Sequence, residues 1–203
     1  MNATRRDFID SINKHQNSFG LAVDGAAIEK LADFYEIVQE HNELLHLVGP
    51  CSPDEFATRH VLESLTLLEY LPANTTFADI GPGAGLPSIP CLLVRGDLRA
   101  ILIESKIKKS AFLENTVKML KIEGRAQIVD RQFEEADPVG ATTVTCRALD
   151  KFSEKLPRLI KWAKGRPLLL FGGPNLKPVI ENYRNGTRER LMPMSERRYL
   201  YIA

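Results

Sequence analysis

Residues 76–94 constrain this chain more than any other stretch. Thr76-Phe77-Ala78-Asp79-Ile80 is a short β-prone run that passes directly into Gly81-Pro82-Gly83-Ala84-Gly85, and an apolar helical segment follows at 89–94. Glycine enters left-handed backbone that other residues avoid and brings bare peptide against whatever lies close, while the first N–H groups of a helix have no partner of their own. Strand, glycine turn and helix in that order open a βαβ unit with a small molecule set against the turn. The remainder of the chain must then supply a parallel sheet.

It offers one. Further β-rich runs fall at 99–104, 126–130, 142–147 and 167–171, and a last run at 198–202 is placed to pair through a hairpin with 190–192. The intervening segments read as helices: at 106–121, Leu113, Val117 and Leu120 share one face, and farther on Phe152, Leu156, Leu159 and Ala163 do the same. The first 70 or so residues are helical. Phe8, Ile12, His15 and Phe19 form one stripe ended by Gly20; Asp24 caps a long helix striped by Ile28, Leu31, Tyr35, Val38, Asn42 and Leu45; and a third starts near Ser52-Pro53-Asp54 and carries Val61, Leu65 and Leu68. The expected architecture is α/β, with an N-terminal helical extension over 1–72 and a sheet domain over 73–203, packed as one compact unit.

Spacing narrows the ligand. A dinucleotide fingerprint places its third glycine where Leu86 stands, whereas Gly85 comes one residue early. The order acidic-x-Gly-x-Gly-x-Gly, beginning at Asp79, is associated with S-adenosylmethionine enzymes, whose sulfonium cofactor carries no pyrophosphate for an acid to oppose. Glu104 closes the second strand 23 residues after Gly81, where a neighbouring parallel strand brings its carboxylate level with the turn, able to accept from both ribose hydroxyls. A nicotinamide oxidoreductase is the distant alternative.

Composition adds boundaries. The hydrophobic share of 44% and charged share of 26% are those of an ordinary globular protein, and no apolar run approaches a membrane span, so a cytoplasmic protein is expected. Cys51, Cys91 and Cys146 are too scattered for a disulfide framework or zinc site, and no metal is expected. Cys146 reads as a packed thiol, with a nucleophilic role as the alternative. Residues 151–203 hold 12 Lys and Arg against 4 Asp and Glu, leaving 15 against 22 for the rest. That imbalance fits either a polyanionic partner or a solvated surface.

With these motifs in view, the sequence resembles the bacterial small-subunit ribosomal RNA guanine-N7 methyltransferases, the glucose-inhibited division protein B family, across most of its length. The likeness rests on the run from Asp79 to Pro90 with its Leu86-Pro87 and Ile89-Pro90 continuation, and on Arg59-His60-Val61-Leu62-Glu63-Ser64, Leu102-Ile103-Glu104-Ser105, Phe133-Glu134-Glu135, Cys146-Arg147-Ala148 and Glu196-Arg197-Arg198. It implies a Rossmann-like S-adenosylmethionine-dependent methyltransferase fold, a mostly parallel seven-stranded sheet with helices on both faces. By resemblance the cofactor touches Gly81, Leu86, Phe133, Glu134 and Arg147, with Glu104 at the ribose, and the partner is small-subunit ribosomal RNA or the subunit itself. A monomer is expected. Three departures stand out: His41-Asn42 and His46-Leu47-Val48 replace the family's Trp-Asn and Asn-Leu-Thr, Phe171 stands where the fifth strand usually carries a lysine, and the region after it is shorter. Lys177 is a candidate to replace the lost charge.

Methyl transfer to guanine N7 uses a ring lone pair that carries no proton, so positioning matters more than a general base. The sequence offers no nucleophile–His–acid set. Arg147 and Arg197 are the candidates for gripping the base edge or a flanking phosphate, because a planar fork suits both; a surface ion pair is the plainer account of each. His15, His41, His46 and His60 are expected to pack among the helices, although Arg59-His60 belongs to a motif of the resemblance. Lys106, Lys108, Lys109, Lys118 and Lys121 read as a solvated face, with RNA backbone contact as the alternative. Methylation of a small molecule or protein, and binding of cofactor or RNA without turnover, are the competing functions.

Overall fold

The computed structural model describes residues 3–137, 140–147 and 152–203. Met1, Asn2 and Ala148, the last of which belongs to the Cys146-Arg147-Ala148 motif, lie outside the described residues.

The expected sheet forms. Its strands are β1 (Thr76–Ile80), β2 (Arg99–Ile103), β3 (Ala126–Val129), β4 (Thr143–Arg147), β5 (Leu168–Gly172), β6 (Arg188–Leu191) and β7 (Tyr199–Ile202), within a residue or two of the sequence-based boundaries. They lie in the order β3-β2-β1-β4-β5-β7-β6. The first five run parallel, whereas β7 pairs antiparallel with both β5 and β6. Strand order reverses between β1 and β4. At such a point the connections leave to opposite faces and a crevice opens at the carboxyl ends of the strands.

Alternation along the strands sorts the side chains onto two cores. Phe77, Ala100, Leu102 and Phe171 face a core shared with α1 (Ala3–His15), α2 (Gly25–Leu45), α5 (Ser88–Val94) and α6 (Ile107–Met119). Ala78, Ile80, Val144 and Tyr201 face the other, covered by α7 (Phe152–Trp162) and α8 (Leu176–Glu181). The N-terminal helices thus bury their stripes in the same core as one face of the sheet.

Local signals explain where the helices begin and turn. The Asp24 side chain accepts from the Ala27 N–H at 2.8 Å, capping α2. Gly20 turns out of the preceding helical segment at φ +72°. Ser52 and Glu55 form a reciprocal capping box that starts the third helical stretch. That stretch is not one regular helix: an α turn, α3 (Pro53–Glu55), leads into a π segment (Phe56–Leu62), then α4 (Glu63–Leu65) and a 3-10 turn (Thr66–Glu69). A π segment adds a residue per turn and re-aims what it carries, here Arg59 and His60, in a way no periodicity announces.

Candidate active site

The crevice contains a cavity of about 570 Å³, and the glycine turn is its floor. Gly81 leaves β1 at φ +67° and donates its N–H to the Ile103 carbonyl at 2.9 Å; Gly83 follows at φ +56°. Both line the cavity. Gly85 does something else. A Cβ there would lie 2.3 Å from Ile89 Cδ1, so this glycine lets the turn pack onto α5 from below.

Asp79 also sits beneath the turn and not on the cavity wall. It is fully buried and accepts a short hydrogen bond from Ser88 Oγ, while its Oδ1 has no hydrogen-bond partner among the described residues. Burial pushes its carboxyl up to about 8, against the hydrogen bonds from Ser88. Asp79 and Gly85, expected as cofactor contacts, therefore shape the turn from behind. Leu86 does reach the cavity.

Glu104, just past β2, faces the turn across the crevice. Its Oε2 accepts from the Gly83 N–H at 3.1 Å and its Oε1 from the Lys106 N–H at 2.9 Å. Two backbone donors fix the carboxylate, and each oxygen retains a lone pair for a ligand. The cavity's next wall is the loop of Leu47, Val48 and Gly49. Asn42, the polar exception on the α2 stripe, accepts from the Val48 N–H at 2.9 Å, and Lys109 Nζ donates to the His46 carbonyl at 3.3 Å. Lys106 and Lys109, read from sequence as solvated, both line the cavity, and burial lowers the Lys109 pKa from its usual value.

Opposite stands Phe133, edge-on to Trp162 at 5.8 Å between ring centres. Glu134 turns away: its carboxylate pairs with Arg158 at 3.1 Å, so the expected cofactor contact is not made by its side chain in this arrangement. Arg131 and Gln132, which the sequence reading passed over, line the wall instead.

The last corner is cationic. Arg147 ends β4, stacks its guanidinium over the Phe171 ring at 5.2 Å, and donates from Nη2 to the Arg59 carbonyl and to Glu63 Oε2, the latter at 3.1 Å. Glu63 is buried and accepts a second arginine, Arg198 Nε at 2.6 Å. Burial pulls the Arg147 guanidinium below its ordinary range while Glu63 opposes that pull. Phe171, which stands where the resemblance leads one to expect a lysine, thus presents an aromatic face that takes up Arg147. Lys177 does not replace the lysine, because it pairs with Glu189 at 3.4 Å and Glu181 at 3.9 Å.

Arg197 is exposed and outside the cavity; its neighbour Arg198 is the arginine tied to the site. His60, expected to pack, lines the cavity beside Arg147. Of the other histidines, His15 and His41 are half-buried, His15 approaching Asp54 at 3.5 Å and His41 lying on Phe112, whereas His46, expected to pack, is exposed and ends α2 in a left-handed conformation. Cys91 and Cys146 are buried. Glu63, Arg198 and His60 were foreshadowed only by the motifs 59–64 and 196–198, which carried no hint of a mutual contact.

A family model described as rRNA small subunit methyltransferase G (GidB) matches residues 27–176. Two relatives with the name ribosomal RNA small subunit methyltransferase G come from Sorangium cellulosum, 35% identical over 75% of this chain and 66% of the relative, and from Magnetococcus marinus, 33% identical over 80% and 76%. The chain thus spans a little under two thirds of the first and about three quarters of the second. Among solved structures, an RNA methyltransferase from Salinibacter ruber in complex with S-adenosyl-L-homocysteine superposes with a TM-score of 0.56 at 18% identity, covering 76% of this chain and 92% of that one, a likeness of fold.

Proposed function

Because this chain belongs to the GidB family of rRNA small subunit methyltransferase G proteins, we propose that it transfers a methyl group from S-adenosylmethionine to N7 of a guanine in small-subunit ribosomal RNA. S-adenosylmethionine supplies, when bound, an electrophilic methyl on a sulfonium. The observation that carries the reading is the bond between Gly83 N–H and Glu104 at the point where strand order reverses. A carboxylate fixed by two backbone donors, with acceptor capacity left over, suits a ribose diol beside uncovered glycines.

Gly81, Gly83 and Glu104 hold the cofactor, with Leu86 and Phe133 as apolar walls. Asp79 and Gly85 support the turn beneath it. Arg147 orients the base. N7 carries no proton, so the residues around the cavity have none to remove, and the rate comes from alignment. Arg197, exposed ahead of β7 in the basic C-terminal part, contacts RNA phosphate.

The substrate is the RNA or the assembled small subunit, which places the work of a monomer in the cytoplasm. Among the described residues no helix is long and apolar enough to cross a membrane. The test incubates the protein and labelled S-adenosylmethionine with small subunits from cells lacking the gene and maps the product. One modified guanine is expected. Cofactor binding without transfer to any ribosomal substrate would refute the reading in favour of a binding protein, and transfer to a small molecule, indifferent to salt, would refute the RNA substrate.

A further inference from the structure

Among the described residues, two side-chain groups beside the cavity have no hydrogen-bond partner: Nδ1 of His60 and Nη1 of Arg147. Unpaired buried polar groups are costly and scarce in folded proteins, so two on one wall point to a ligand that completes them. They share a corner. Arg147 Nη2 bonds the carbonyl of Arg59, the residue before His60, where the π segment turns both toward the end of β4. Glu63 and that carbonyl occupy Nη2, leaving Nη1 as the spare arm of the guanidinium.

His60 differs from its surroundings in charge. Arg59 faces it from its own helical stretch, Arg147 from β4 and Arg198 from the approach to β7, with Glu63 between the last two. Burial first, then these three cations, hold the His60 pKa down to about 3. At neutral pH the ring is uncharged and offers one N–H and one lone pair, whereas arginine only donates.

We propose that His60 and Arg147 together read the target base, Arg147 Nη1 donating to O6 of a guanine and the His60 lone pair accepting its N1–H. The inference rests on the methyltransferase reading and adds how the base is chosen. In guanine, O6 lies between N7 and N1, so a grip on O6 and N1–H leaves N7 clear for the methyl. Adenine reverses both polarities, setting its amino group against the arginine and its N1 lone pair against that of the histidine. A site built on such bonds rejects a base that leaves them unmade. An uncharged ring also adds no cation beside a base that becomes positive as it is methylated.

The test compares His60→Gln, which keeps an acceptor, with His60→Leu, which has none and adds no charge. Single-turnover methyl transfer to unmethylated small subunits is measured at saturating subunit, together with calorimetric cofactor affinity. His60→Leu should slow transfer roughly 10- to 100-fold, the cost of one buried unpaired group, while His60→Gln stays within about fivefold. Cofactor affinity of both should remain within about threefold of the unaltered protein, which also reports a folded cavity. Unchanged transfer in His60→Leu, equal losses in both variants, or lost cofactor affinity in either would overturn the proposal. Absence of transfer by the unaltered protein would instead sink the methyltransferase reading itself, and this inference with it.

Discussion

Replacing Glu104 with alanine tests the cofactor site at its most specific point. The carboxylate is buried, anchored by the N–H groups of Gly83 and Lys106, and turned toward the cavity. Two hydroxyl donors of a ribose would each make a charge-assisted bond, worth about 1.5 kcal/mol at the low end. Their loss removes about 3 kcal/mol of binding, or roughly a 150-fold rise in the dissociation constant. The loss is larger if the freed N–H groups let the glycine turn drift. Glu104→Gln should fall between, since a carboxamide has one acceptor oxygen and must set its NH2 against one of the two backbone donors. Isothermal titration with S-adenosylmethionine gives the constants, and circular dichroism confirms that each variant is folded. Affinity of Glu104→Ala within threefold of the unaltered protein would refute the placement of the sugar, and with it the argument from the glycine turn.

Gly85→Val should lower stability by on the order of 3 kcal/mol, since it combines φ +90° with a Cβ 2.3 Å from Ile89 Cδ1; a melting temperature unchanged by differential scanning would contradict the packing role. Asp79 has a folded pKa raised from 3.8 to about 8, so the fold favours its protonated form. The stability this contributes is complete below the unfolded value and lost as pH rises through about 8, so the unaltered protein should lose stability relative to Asp79→Asn between pH 4 and 8; parallel melting curves across that range would count against it. Asn42→Ala removes the acceptor of the Val48 N–H and should weaken cofactor binding about fivefold by loosening the loop, a change of about 1 kcal/mol that titration resolves; equal affinity would show that the loop holds itself.

Much of this was legible in the chain because its signals are local. The strand-turn-helix at Asp79 to Val94, the acid ending β2, the Asp24 cap and the stripe on α2 each depend on neighbours within a turn or two, and they form as their spacing predicts. What the sequence left open lies where one position decides which way a side chain points. Glu134 follows Phe133 in a single helical turn yet faces Arg158, and Arg197 precedes Arg198 but is turned to solvent. Nothing in a linear reading distinguishes such adjacent residues. The rest is non-local: Glu63 meets partners 84 and 135 residues away, and Asn42 gains its purpose only because the chain reverses at His46. The π segment is hidden for another reason, since its residues have no composition of their own.

Glu63 belongs to the helical stretch before β1, Arg147 to the middle strand and Arg198 to the approach to the last one. A nascent polypeptide that has emerged only as far as β5 already has the glycine turn and Glu104, yet half of the counter-charge on Glu63 is still unmade. Cofactor affinity should therefore mature earlier during synthesis than competence toward substrate, and a chain cut short of the final hairpin would hold a methyl donor with nowhere to deliver it.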